Sequence, residues 1–165
     1  MKPFLRALIR FDNLLAKLEA EVLITIVTAM TVAVLLQVIF RYVFNHPLSW
    51  SEELSRYLFI WIFLLGASFA VHRRSHFGMD SFFKVLPDKG RHFLIFIINL
   101  LMGVVILLIL VQGIVLVRNA AAQLSPAMRI SMSWAYASLP AGAALMAIHL
   151  FTIFLKDAIK KSGAF

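Results

Sequence analysis

The chain has 165 residues, of which 62% are hydrophobic and 15% charged, and its mean hydropathy is +0.91. Soluble domains are roughly 45–50% apolar and about 25% charged, so an ordinary soluble enzyme is excluded; disorder, collagen and a disulfide scaffold are excluded too, the cysteine count being zero. Sixteen Lys and Arg against eight Asp and Glu give a formal charge of +8, which suits nucleic acid or a membrane surface until the charges are placed along the chain.

Residues 1–18 lack the compact apolar core and small-residue cleavage site of a signal peptide. Phe4, Leu8, Phe11, Leu15 and Leu18 recur at helical spacing, with Arg6, Arg10 and Lys17 on another face. The pattern predicts an amphipathic helix lying in the membrane interface, the alternative being a plain extension of the first span. The first span is expected at about 22–44, closing before Asn45-His46-Pro47. A second helix is expected to start at Ser49, because Ser49 and Glu52 have capping-box spacing, and to run to about Val71. At a rise of about 1.5 Å per residue, that length crosses a bilayer. Met79–Leu86 reads as a short amphipathic piece capped by Asp80, and Pro87-Asp88-Lys89-Gly90 as the turn into the third span. The third and fourth spans are expected at about 93–117 and 134–155. The fold class is therefore an all-α integral membrane protein, a single domain over 1–165 with four transmembrane helices and interfacial amphipathic segments.

Assigned to alternate sides of these spans, the sixteen basic residues divide twelve to four. Lys and Arg favour the cytoplasmic side, so both termini are expected there and the 41–56 and 118–133 connections outside. This spread over membrane-flanking segments also removes nucleic acid as a partner.

Polar groups near and within the spans are few. Glu52 and Glu53 both lie within helical reach of Arg56, and Arg41 sits near the outer end of the first span. These four are expected to form a neutral salt-bridge cluster; a proton relay would need titratable groups across the whole membrane, and no such chain is seen. Glu19 and Glu21 read as interfacial. Gln37, Asn99, Gln112 and His149 are candidates for hydrogen bonds between helices. Only His149 is a mid-span histidine, whereas a bis-histidine haem needs axial pairs on facing helices, and a zinc site is not expected for want of clustered ligands. No cofactor is expected. A haem-binding four-helix subunit of a redox complex stands as the alternative reading. A homodimeric efflux transporter is disfavoured, since the acidic residues stay at span edges.

Arg41-Tyr42-Val43-Phe44, then Trp50-Ser51-Glu52-Glu53-Leu54-Ser55-Arg56-Tyr57, then Gly66-Ala67-Ser68-Phe69-Ala70 and His76-Phe77-Gly78-Met79-Asp80 form a block that resembles the small membrane subunit of tripartite ATP-independent periplasmic (TRAP) transporters, the DctQ-like family. The resemblance covers nearly the whole chain. It implies a non-enzymatic small permease subunit in a bacterial or archaeal inner membrane, in a system that imports an organic-acid anion (dicarboxylate, sialic acid or similar) by cation symport, usually with sodium. The implied partners are a large multi-span membrane subunit, a periplasmic substrate-binding protein and membrane lipids. Carried onto this chain, Arg41, Trp50, Glu52, Glu53 and Arg56 are the outer motif positions, expected to arrange the helices and to serve docking. His76 and Asp80 are the inner-loop positions. None is expected to be catalytic.

Overall fold

The computed structural model describes residues 2–73 and 88–161. The expected amphipathic piece at 79–86, with His76 and Asp80, lies outside them. Among the described residues five helices follow in chain order: α1 (Lys2–Tyr42), α2 (Ser49–His72), α3 (Asp88–Asn119), the single turn α4 (Ser133–Tyr136) and α5 (Ser138–Lys161). Four stretches of the described residues are long and apolar enough to cross a membrane: Arg6–Tyr42, Ser49–His72, Phe93–Asn119 and Ser133–Lys156, the last joining α4 to α5.

Helix α1 runs unbroken through the expected boundary at residues 18–22. No proline or glycine falls between Phe4 and Tyr42 to interrupt it. Its 41 residues correspond to about 60 Å, twice the hydrocarbon core of about 30 Å. The helix ends where Asn45 takes a left-handed conformation (φ 53°) and the His46 amide reaches back to the Phe40 carbonyl at 2.9 Å. Asparagine tolerates that region better than most residues.

Helix α2 starts at Ser49 as expected, but its expected capping box does not form, and the third helix starts earlier than expected. At α2, no side chain caps the N-terminus; Leu48 is the extended cap residue, and Ser51 Oγ donates to the Leu48 carbonyl at 2.8 Å. Pro47 immediately before Leu48 favours that extended cap. At α3, Asp88, Lys89 and Gly90, expected in the turn into the third span, are already helical.

The long helices pack in the order α1–α2–α5–α3. In the middle, α2 and α5 supply most of the core: Leu64 and Val71 meet Ala143, Met146 and Ile153, with Ile106 of α3 against them. Glycine sets two close approaches. A Cβ on Gly142 would lie 2.9 Å from the Leu64 Cβ and 3.2 Å from its carbonyl oxygen, and one on Gly113 would lie 3.0 Å from Pro140. The flanking helices instead show apolar surface outward, including Ile24 and Leu35 on α1 and Phe93, Leu101 and Leu107 on α3. Lipid tails or another membrane protein suit such surface; water does not.

The face that α1 buries in the bundle is not its apolar stripe, which stays free for the membrane interface. Phe11 and Leu18 are exposed, whereas Asp12, Ala16, Glu19 and Ala33 are buried. In a membrane protein apolar side chains are stable toward lipid, so the polar residues turn inward to find partners.

Candidate functional site

The two ends of the bundle hold distinct polar groups. At the end formed by the 43–48 and 120–132 connections, Glu53 is the centre. It sits on the second turn of α2 and is buried. Its Oε1 accepts from the Tyr57 hydroxyl at 2.7 Å. Its Oε2 accepts from the backbone amides of Ala127 and Met128 at 2.7 and 3.3 Å.

Those amides belong to a tight loop. Leu124 and Ser131 form an antiparallel bridge, the Ser125 amide donates to the Ile130 carbonyl at 2.8 Å, and Arg129 turns the chain at φ 56°. The loop is then tied to α3 by the Ser133 hydroxyl, 2.8 Å from the Val117 carbonyl. Glu53 thereby fastens the α3–α5 connection onto α2. A carboxylate accepting several N–H and O–H bonds makes strong, charge-assisted contacts.

The expected four-residue cluster does not form in this way. Glu52 pairs with Arg56 at 3.4 Å, on the surface, with both side chains about two-thirds exposed. Glu53 is turned toward the loop amides, which are closer and already fixed. The Arg41 guanidinium lies over the Tyr42 ring at 5.7 Å. Arg41, Glu52, Glu53 and Arg56 nevertheless share the wall of one cavity of about 510 Å³. Trp50 stands outside it, on the rim of a shallower hollow with His46 and Ala127. Exposed Trp50, Trp134, Tyr42 and Phe44 at this end have the character of an interfacial aromatic belt.

At the opposite end, where α1 starts and α5 ends, α1, α2 and α5 enclose a buried polar network. His149 is fully buried between two carboxylates: Nδ1 lies 2.7 Å from Asp12 Oδ1 and Nε2 lies 3.2 Å from Glu19 Oε2. His72 Nδ1 lies 3.2 Å from Asp12 Oδ2, Lys156 Nζ donates to that same oxygen at 3.5 Å, and Ser68 Oγ donates to Glu19 Oε1 at 2.7 Å. Each His149–carboxylate contact is a hydrogen bond only with a proton between the two atoms, since an ionised carboxylate can only accept. Lys156 brings a positive charge beside Asp12, and a buried carboxylate needs such a partner.

This network corrects three expectations. Glu19 is buried rather than solvated at the interface. His149 is not isolated, because His72, at the last residue of α2, meets it edge-on with ring centroids 4.9 Å apart. Ligand-type side chains are therefore clustered here: Asp12, His72 and His149 bring one donor atom each to within 4.8 Å of the others. The same packing speaks against the haem alternative for this pair, since touching rings leave no room for a macrocycle between them. Asp12 has no motif around it in the sequence. Its signal is the seven-residue spacing to Glu19, which puts two carboxylates on one face of a continuous helix. Of the other mid-span polar residues, Gln37 lines the cavity near Arg41, Gln112 is exposed, and Asn99 Oδ1 is buried with no partner among the described residues.

Comparison with known proteins supplies the family. Residues 30–159 match the family described as tripartite ATP-independent periplasmic transporters, DctQ component. The chain is 33% identical over 135 residues to the sialic acid TRAP transporter small permease protein SiaQ of Vibrio cholerae, covering 81% of this chain and 78% of that one. It is 35% identical over 130 residues to the sialic acid TRAP transporter permease protein SiaT of Haemophilus influenzae, which takes in 79% of this chain but 21% of that longer protein. With the ectoine TRAP transporter small permease protein TeaB of Halomonas elongata it shares 28% identity over 144 residues, 86% of this chain and 75% of the other. A helical bundle with four membrane-crossing stretches, matched over this range, places the chain in the DctQ component family of TRAP transporters, a family of transporter subunits rather than enzymes.

Proposed function

We propose that this chain is the small membrane subunit of a TRAP system that imports an organic-acid anion by cation symport, usually with sodium, across a bacterial or archaeal inner membrane. It acts as a scaffold for the large membrane subunit and, with its Arg41–Arg56 end, as part of the docking surface for a periplasmic substrate-binding protein. Both termini are cytoplasmic. The observation that carries this reading is the family match over residues 30–159. The distribution of polar groups supports an accessory role: they gather at the two ends, while the centre of the core is Leu64, Ile106, Ala143 and Met146. An ion or a carboxylate crossing the bilayer needs polar partners along its path, and among the described residues this core offers none. The exposed apolar faces of α1 and α3 give a large membrane partner and lipids ample surface.

Relatives are named for different substrates, among them sialic acid, C4-dicarboxylate and ectoine. Substrate choice is accordingly assigned to the partners. The test is reconstitution of this chain with its large membrane subunit and binding protein in liposomes. Uptake of labelled organic acids is measured under an inward sodium gradient. Uptake is expected only when all three proteins are present. Uptake by this chain alone, or undiminished uptake without it, overturns the reading.

A further inference from the structure

The Asp12–His72–His149 cluster lies at the far end of the bundle from the proposed docking surface, and nothing in the transport role calls for it. We propose that these three residues form a binding site for a divalent transition cation of the zinc class.

Two imidazoles and one carboxylate are a recurrent donor set for such ions, with a further position left open. Here the three come from three helices, α1, α2 and α5, so their backbones are fixed by the packing of the bundle. Bonds of about 2.0 Å to a tetrahedral ion place neighbouring ligand atoms about 3.3 Å apart. The His72 Nδ1–Asp12 Oδ2 distance of 3.2 Å already fits. The His149 Nδ1–Asp12 Oδ1 distance of 2.7 Å is that of a hydrogen bond, and a small rotation of the carboxylate opens it.

The surroundings strengthen the assignment. A metal-bound histidine commonly gives its other ring N–H to a carboxylate, which fixes its tautomer and orientation. His149 meets this condition through Nε2 and Glu19, and Ser68 holds Glu19 in turn at 2.7 Å. Binding displaces the proton between His149 and Asp12, as expected when a ligand must be free of its proton to coordinate. Lys156 also faces Asp12, but its side chain is 30% exposed. It can leave Asp12 for lipid phosphates or water as the cation enters.

The full chain, purified in detergent without a histidine tag and stripped with a chelator, is titrated with Zn²⁺ by calorimetry and with Co²⁺ as an absorption probe. One Zn²⁺ per chain, with proton release, and an intense visible Co²⁺ band typical of four-coordination are expected. His72→Ala is expected to weaken Zn²⁺ binding at least about tenfold, and Glu19→Gln about tenfold to a hundredfold, with the Co²⁺ band retained at saturation in Glu19→Gln. Circular dichroism verifies that each variant keeps its helix content, and His72→Gln replaces His72→Ala if the latter does not fold. Absence of saturable binding by the folded wild-type chain overturns the proposal. So does a folded His72 variant that binds Zn²⁺ as tightly as wild type.

Discussion

Glu53 and Glu52 are adjacent in sequence but differ in what their loss would cost. Removing the Glu53 carboxylate leaves the Ala127 and Met128 amides and the Tyr57 hydroxyl without their acceptor. A buried polar group left unpaired costs about 1–3 kcal/mol. Glu53→Ala is therefore expected to destabilise the chain by about 3 kcal/mol, and Glu53→Gln, which keeps one acceptor oxygen, by about half as much. Thermal unfolding in detergent checks the order; equal midpoints for the two variants and wild type would refute it. Arg56 gives the opposite expectation. Its pair with Glu52 is exposed, and such pairs contribute about 0–1 kcal/mol. Arg56→Ala should leave the unfolding midpoint unchanged while reducing uptake in the reconstituted system, if this end docks a partner. Sequence spacing brought both glutamates within reach of Arg56 but could not choose between them. The acceptor demand on Glu53 arises in a loop more than 70 residues away, and no local pattern encodes it.

At the scale of helices, existence and type were legible and packing faces were not. Apolar length marked the four spans, and each long helix contains the expected segment, α1 ending two residues short of it, apart from α5, whose first turn is split off as α4. The split has a local cause. Pro140 has no amide proton, so its place is in the first turn of a new helix rather than in the interior of a longer one. Burial was harder to read, because water no longer separates inside from outside and an apolar stripe is equally content toward lipid. Small residues are the better guide, but only where a neighbour is close. A Cβ at Gly66 meets nothing within 4 Å, whereas one at Gly142 meets the Leu64 backbone and Cβ. Gly142→Ala should thus force α2 and α5 apart at a cost of about 1–3 kcal/mol, and Gly66→Ala should be neutral or slightly stabilising. Unfolding midpoints of the two variants measured side by side decide the point; a Gly142→Ala chain as stable as Gly66→Ala would show that the contact relaxes freely.

For the whole molecule, the charge that first resembled a nucleic-acid signature becomes a statement about topology. An even number of spans puts both termini at one end, and Asp12 of α1, His72 of α2 and Lys156 of α5 meet there. The order of spans in the sequence assigns twelve of the sixteen basic residues to that end and its connection, and Arg41, Arg56, Arg118 and Arg129 to the other. The length of α1 fits the same picture. A helix of about 60 Å cannot fit inside a core of about 30 Å, and its N-terminal half carries Arg6, Arg10 and Lys17, which suit anionic headgroups, on the cytoplasmic face in the proposed orientation. The chain has no cysteine, so single substitutions report orientation without background. Ala7 and Ala121 are exposed and lie at opposite ends. In right-side-out membranes an impermeant maleimide is expected to label Ala121→Cys and spare Ala7→Cys; in inside-out vesicles the pattern should reverse. Labelling of Ala7→Cys from the outside would invert the assignment. The cavity walled by Arg41 and Arg56 would then face the cytoplasm, where no periplasmic protein can reach it, and the docking role proposed for that end would fall with it.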